Sequence, residues 1–125
     1  MKKVISTGHA PKAIGPYSQA IETNGMLFIS GQIPIDPATG AFIEGGITEQ
    51  TEQVMRNIGA ILKEAGYTFD QVVKSTCLLS DMDNFAAMNA VYGKYYAENP
   101  PARAAYGVVK LPMGALIEIE TIACK

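Results

Sequence analysis

An α+β fold, with one mixed β-sheet and two helices packed on one of its faces, is what this sequence predicts. Three observations predict it. Segments of β character surround two helical segments in the order β-β-β-α-β-α-β-β. Each helical segment carries an apolar stripe on one side only, so each can cover a surface. The length, 125 residues, suits one domain spanning 1–125 and can bury a core without staples.

The elements follow in order. Lys3 to Ser6 reads as a short strand. Ala10-Pro11 and Ile14-Gly15-Pro16-Tyr17 make an irregular segment with fixed turns. Ser18 to Thr23 and Met26 to Ser30 flank Asn24-Gly25, a hairpin signal because both residues tolerate positive φ. The run Met26-Leu27-Phe28-Ile29 is continuously apolar and predicts cover on both faces. It ends at Ser30-Gly31-Gln32, where a glycine permits close approach of backbone or ligand. Pro34, Pro37 and Gly40 mark a loop.

Thr48 is the expected N-cap of the first helix, with Glu49 and Glu52 in its first turn. Val54, Met55, Ile58, Ile61, Leu62 and Ala65 form its stripe, and Gly66 supplies the stop. Val72 to Ser80 is rich in β-branched and apolar residues and reads as a strand. Asp81 or Asp83 caps the second helix, whose stripe runs Phe85, Met88, Tyr92 and then Tyr95 or Tyr96. Asn99-Pro100 stops it, because proline cannot donate to the ladder and pushes its predecessor toward extended geometry.

Two strands close the chain, Arg103 to Val109 and Ala115 to Ala123, joined by a turn at Leu111-Pro112-Met113-Gly114. Period-two alternation puts Leu116, Glu118, Glu120 and Ile122 on one face and Ala115, Ile117, Ile119 and Thr121 on the other. Two carboxylates on one face of an apolar strand need either water or a partner. Arg103, opening the neighbouring run, is the expected partner. Two helices cover one sheet face only. The apolar residues left on the other face predict self-association.

Composition narrows the function. Hydrophobic residues make up 48% and charged residues 18%, which excludes a disordered chain. Net charge is −2 and the only basic run is Lys2-Lys3, so the footprint of a nucleic-acid or membrane-surface binder is absent. Cys77 and Cys124 are not in CxxC spacing and His9 has no helical partner, which predicts neither disulfide nor metal site. The first residues lack a signal-peptide core, and no apolar run approaches the ~20 residues of a membrane span. A cytoplasmic protein is expected. With no GxGxxG, P-loop, HExxH or EF-hand pattern, no cofactor is expected either.

Several short motifs occur together. They are Gly15-Pro-Tyr-Ser-Gln-Ala20, Ile29-Ser-Gly-Gln-Ile-Pro34, the Asp-Met-Asp-Asn-Phe…Asn-Ala-Val-Tyr segment around Asn89, Pro101-Ala-Arg103, Leu111-Pro112 and Ile117-Glu-Ile-Glu120. In this order, along nearly the whole chain, they resemble the Rid family of reactive-intermediate deaminases, the YjgF-type imine deaminases. The resemblance implies a chorismate-mutase-like fold and a barrel-like homotrimer with sites between subunits. It implies hydrolysis of 2-imino and enamine acids, such as 2-iminobutanoate and 2-iminopropanoate, to 2-keto acids and ammonia. A non-catalytic trimer that captures small carboxylates is the rival reading. A ribonuclease activity is attributed to some relatives, and the acidic charge balance argues against it.

Each candidate residue has a plain reading beside the functional one. Arg103 can be a structural ion pair or a bidentate partner for a carboxylate; the resemblance implies the second. Glu118 can neutralise a cation or deprotonate a water. The residues alone do not separate it from Glu120, while the resemblance favours Glu118. Tyr17 is a half-buried aromatic by default and borders the substrate by resemblance. Ser30 and Gly31 are a strand end that, by resemblance, presents backbone and hydroxyl groups to substrate. Asn89, off the helix stripe, is placed by resemblance near the pocket.

One departure matters. The family often carries Arg-Ser-Cys where this chain has Arg103-Ala104-Ala105, so no cysteine nucleophile exists at 105. The resemblance implies that the backbone of Ala105 serves substrate, with altered pocket shape and substrate preference. Cys77 and Cys124 read as inert strand residues.

Overall fold

The computed structural model describes residues 1–125. The elements run in the predicted order: β1 (Lys3–Ile5), β2 (Ala20–Thr23), β3 (Met26–Gln32), α1 (Ile47–Ala65), β4 (Val72–Leu79), α2 (Phe85–Tyr95), β5 (Ala102–Gly107) and β6 (Ile117–Cys124). They form one mixed sheet in spatial order β1-β2-β3-β6-β4-β5. All neighbours are antiparallel except β4 and β5, which α2 joins as a parallel pair. The last strand in sequence therefore sits at the centre, between β3 and β4. Its backbone is protected on both sides, which suits a strand this apolar.

The local signals act as their chemistry dictates. Asn24 (φ 50) and Gly25 (φ 74) both adopt the left-handed region, and Thr23 faces Met26 across the tight turn. Helix α1 starts before the expected Thr48. Gly46 is its N-cap, and Glu49 Oε1 accepts from the Gly46 N–H at 2.8 Å. A carboxylate reaching back from the first turn satisfies the N–H of the N-cap residue itself, where a Thr48 hydroxyl was expected to cap the turn, and it also faces the positive helix end. Gly66 closes the helix at φ 80, its N–H donating to Leu62 and Lys63 carbonyls. Asp81 does cap the second helical segment, accepting from Asp83 N at 2.9 Å, but across a 3-10 turn, Met82–Asn84, that precedes α2.

Both helices lie on one face. Ile5, Ala20, Leu27, Ile29, Cys77, Leu79, Ile117 and Ile119 face Val54, Met55, Ile58, Ile61, Leu62 and Met88 in one apolar core. The opposite face is uncovered. Val4, Ile21, Phe28 and Ile122 pair in one row across β1, β2, β3 and β6, and Tyr106 stands on the same side of β5. Val4 is 58% exposed, Phe28 42% and Tyr106 51%. The run from Met26 to Ile29 is thus covered on one face rather than two: Leu27 and Ile29 are buried and Phe28 is not.

Strand β3 also does not stop at Ser30. Ile29 pairs with Thr121 and Gln32 with Ile119, so Ser30 and Gly31 together oppose Glu120. This is a β-bulge, and it aims one stretch of β3 backbone toward the two glutamates of β6.

Candidate functional site

Arg103 sits on the outermost strand. In the parallel register Ser75 faces Arg103 and Cys77 faces Ala105, and partners share a side of the sheet. Ser75 and Cys77 are buried under the helices, so Arg103 and Ala105 point to the helix side. There the Arg103 Nη1 donates to Asn89 Oδ1 at 2.7 Å. Its Cζ lies 5.4 Å from the Phe85 ring centroid and 5.0 Å from that of Tyr92. No carboxylate pairs with it; the one ion pair in the chain is Arg56 with Glu52, at 3.8 Å. A cleft of about 390 Å³ opens beside the guanidinium, lined by Asn89, Tyr92, Gly93, Tyr96, Pro100 and Pro101. An exposed, unpaired cation with most of its donors unused is suited to a carboxylate.

Glu118 belongs to the other side. It pairs with Leu78, which alternates with the buried Cys77 and Leu79 and so faces the uncovered surface. Its carboxylate lies against Gly31, where a Cβ would overlap it. A glycine in the bulge is what admits the carboxylate at that place. Burial, then the negative charge of Glu120 on the same face, pushes the Glu118 carboxyl above its ordinary range. Glu118 is half-buried and Glu120 exposed, so the two glutamates differ in environment although the strand pattern makes them alike.

The remaining residues gather around Gly31. Ser30 Oγ donates to the Ser18 carbonyl at 2.6 Å and Ser30 N to the Gln19 carbonyl at 3.0 Å, which leaves only lone pairs on that hydroxyl. Tyr17, 46% exposed, accepts at its hydroxyl from Ile14 N at 3.2 Å. It shares a small cleft with Gly31, Pro11, Lys12 and Ile14.

The structure therefore brings Tyr17, Ser30, Gly31 and Glu118 together, and separately Asn89, Arg103 and Ala105. The two groups lie on opposite faces of the sheet within one chain. The expected pairing of Arg103 with the glutamates of β6 does not form. Strand β4 intervenes between β5 and β6, and Arg103 faces Asn89 instead.

Two sets of residues had escaped notice. Gln19 is buried and holds the segment that carries Tyr17: its Oε1 accepts from Thr7 N at 2.7 Å, and its Nε2 donates to the carbonyls of Thr7 (3.1 Å), Ala10 (3.2 Å) and Pro11 (2.8 Å). Nothing in the composition near Gln19 marks a residue whose partners lie far back in the chain. Phe85 and Tyr92 do belong to the core stripe, as expected, and they also flank Arg103, a second role that their spacing about Asn89 signals as a shared helix face.

Cys77 is buried beside this site, and burial pushes its thiol up to about 11, so it is a poor nucleophile near neutral pH. No three His, Cys, Asp or Glu side chains converge so as to hold a metal ion. No helix is long and apolar enough to cross a membrane.

Comparison with known proteins gives a consistent picture. The family model described as endoribonuclease L-PSP matches residues 7–125. A RutC family protein of Pyrococcus horikoshii is 57% identical over 100% of this chain and 99% of its own. A mouse protein named 2-iminobutanoate/2-iminopropanoate deaminase is 50% identical, covering 98% of this chain and 91% of its own. The crystal structure of a Rid-family protein of unknown function from Yersinia pestis superposes with a TM-score of 0.95 at 49% identity, covering 100% of both chains.

Proposed function

The chain belongs to the L-PSP family, the family of the Rid proteins, and from that membership we propose that it hydrolyses 2-imino acids such as 2-iminobutanoate and 2-iminopropanoate to 2-keto acids and ammonia. The observation that carries this reading is the pair of complementary half-sites: an unpaired Arg103 guanidinium, and a Glu118 carboxyl whose proton affinity is raised. The Arg103 fork holds the substrate carboxylate, which orients the adjacent C=N carbon. Glu118 takes a proton from a water as its oxygen bonds to that carbon, giving a carbinolamine. That proton then passes to nitrogen, the C–N bond breaks and ammonia leaves, and the carbinolamine hydroxyl gives its proton to Glu118 as the carbonyl forms. The imine is already electrophilic, so orientation and proton management suffice. Tyr17, Ser30 and Gly31 border the water side, and Asn89 and the Ala105 backbone the carboxylate side.

The half-sites lie on opposite faces, so one chain does not complete a site. A second copy that docks its uncovered face, with Gly31 and Glu118, against the β5 edge of the first does complete it. We assign the assembly as a homotrimer, the number coming from the family resemblance. Burial of Val4, Phe28 and Tyr106 favours such closure. Two free cysteines fit a reducing cytoplasm.

Two other readings are outcomes of the test. RNA cleavage is favoured by the family description and disfavoured by a net charge of −2. A carboxylate-binding module needs Arg103 and not Glu118. The experiment generates 2-iminobutanoate with a threonine dehydratase and traps it with semicarbazide. Added protein is expected to speed keto-acid release and compete with the trap. Identical traces with and without protein, or cleavage of a labelled RNA in their place, would overturn the reading.

A further inference from the structure

The inference concerns how Arg103 is held, and it rests on the carboxylate-binding role proposed for that residue. A free arginine side chain has many rotamers, and ordering it is unfavourable. In α2, Phe85, Asn89 and Tyr92 stand at i, i+4 and i+7, one face of two helical turns. Residues seven apart are about 10 Å apart along the axis. A Cζ at 5.4 Å from one ring centroid and 5.0 Å from the other therefore lies between the rings, above Asn89. Asn89 Oδ1 takes one hydrogen of Nη1. The guanidinium is thus confined along the helix by two aromatic faces and anchored at one corner. Its other edge is left for a ligand.

We propose that Phe85 and Tyr92 are positioning residues that clamp the Arg103 guanidinium between their rings and so preorganise it for the substrate carboxylate. The ring of Tyr92 does this and its hydroxyl does not, for that hydroxyl is buried and makes no hydrogen bond. Aromatic faces attract a guanidinium, and pre-ordering lowers the entropy lost on binding. The clamp acts on the carboxylate equally in substrate and transition state. It therefore governs KM and not kcat.

The test uses 2-oxobutanoate, the expected product, as a probe that does not depend on turnover. Its Kd is measured by titration calorimetry for wild type, Tyr92→Leu, Tyr92→Phe and Phe85→Leu. The Arg103 Nε–H resonance is followed by NMR, because ring currents displace it. Tyr92→Leu and Phe85→Leu are expected to weaken binding about tenfold, raise KM in parallel, and return the Nε–H resonance toward its free position. Tyr92→Phe is expected to restore all three. Phe85 is only half-buried, so its variant keeps the test open if Tyr92→Leu fails to fold. Folded leucine variants that bind 2-oxobutanoate within about twofold of wild type would overturn the clamp. So would a Tyr92→Phe variant as weak as Tyr92→Leu. If the Kd pattern holds and no 2-imino acid is turned over, the hydrolase reading falls and the clamp stands. No binding of 2-oxobutanoate to the wild type removes both.

Discussion

At the scale of single residues, the proposed mechanism gives the two charges separable tasks. Arg103→Ala is expected to lose about 2–3 kcal/mol of 2-oxobutanoate affinity, the worth of a charged bidentate contact, read by calorimetry. Glu118→Gln is expected to keep that affinity and lose turnover. Glu120→Gln, at an exposed position, should keep both affinity and turnover. Glu118 also has a pH signature. Its folded pKa is raised by burial and by Glu120, so the folded state holds that proton where the unfolded state has lost it. This contribution to stability is complete below the ordinary carboxylate range and is lost as pH rises through the raised value. Denaturant titrations should show that slope in wild type and its absence in Glu118→Gln, while the rate rises with pH in the same window. Gly31→Ala is a sharper probe. Its methyl would occupy the place of the Glu118 carboxylate, and a 1 Å displacement there should lower kcat about a hundredfold with little change in melting temperature. Motif order alone singled out Arg103, Asn89, Gly31 and Glu118. Which of them share a side of the sheet was hidden, because alternation along a strand says nothing about which strands are neighbours.

At the scale of elements, every strand and helix was legible from periodicity, and the errors lie at joins. Thr48 looked like a cap because hydroxyls cap helices, but Glu49 reached back to Gly46 and the helix began earlier. Strand β3 was expected to run to Ser30 and end within Ser30-Gly31-Gln32, whereas a bulge carries it on through Gln32. Both errors have one cause: a side chain or a partner strand satisfied backbone groups that local sequence leaves open. Gln19 shows the same effect at longer range. It ties Thr7, Ala10 and Pro11 into a loop that ends at Tyr17. Gln19→Ala should strand buried carbonyls and destabilise the fold by about 1–3 kcal/mol, measured by urea unfolding. Faster amide exchange is expected between Thr7 and Tyr17, with α1 unchanged.

At the scale of the whole molecule, the central place of β6 decides the architecture. It leaves β4 between β5 and the glutamates of β6, and no hydrophobic pattern encodes that insertion, since an apolar strand is equally at home beside β3, β4 or β5. The uncovered face was foreseen from a count of helices against sheet faces. Assembly is checked by hybrids. Inactive Arg103→Ala and inactive Glu118→Gln proteins, mixed after dissociation and reassociated, should regain activity, and confirmed exchange without recovery would refute a shared site. In the proposed assembly, the placement of the two charges on opposite faces also sets an inheritance rule for mixed populations. A chain lacking one charge spoils one site and still serves its neighbour, so activity in a mixture falls in simple proportion to the intact chains. A chain lacking both spoils the sites on either side of it, and activity falls as the square of the intact fraction. Damage confined to one face is thereby diluted by good copies, and damage to both faces poisons them.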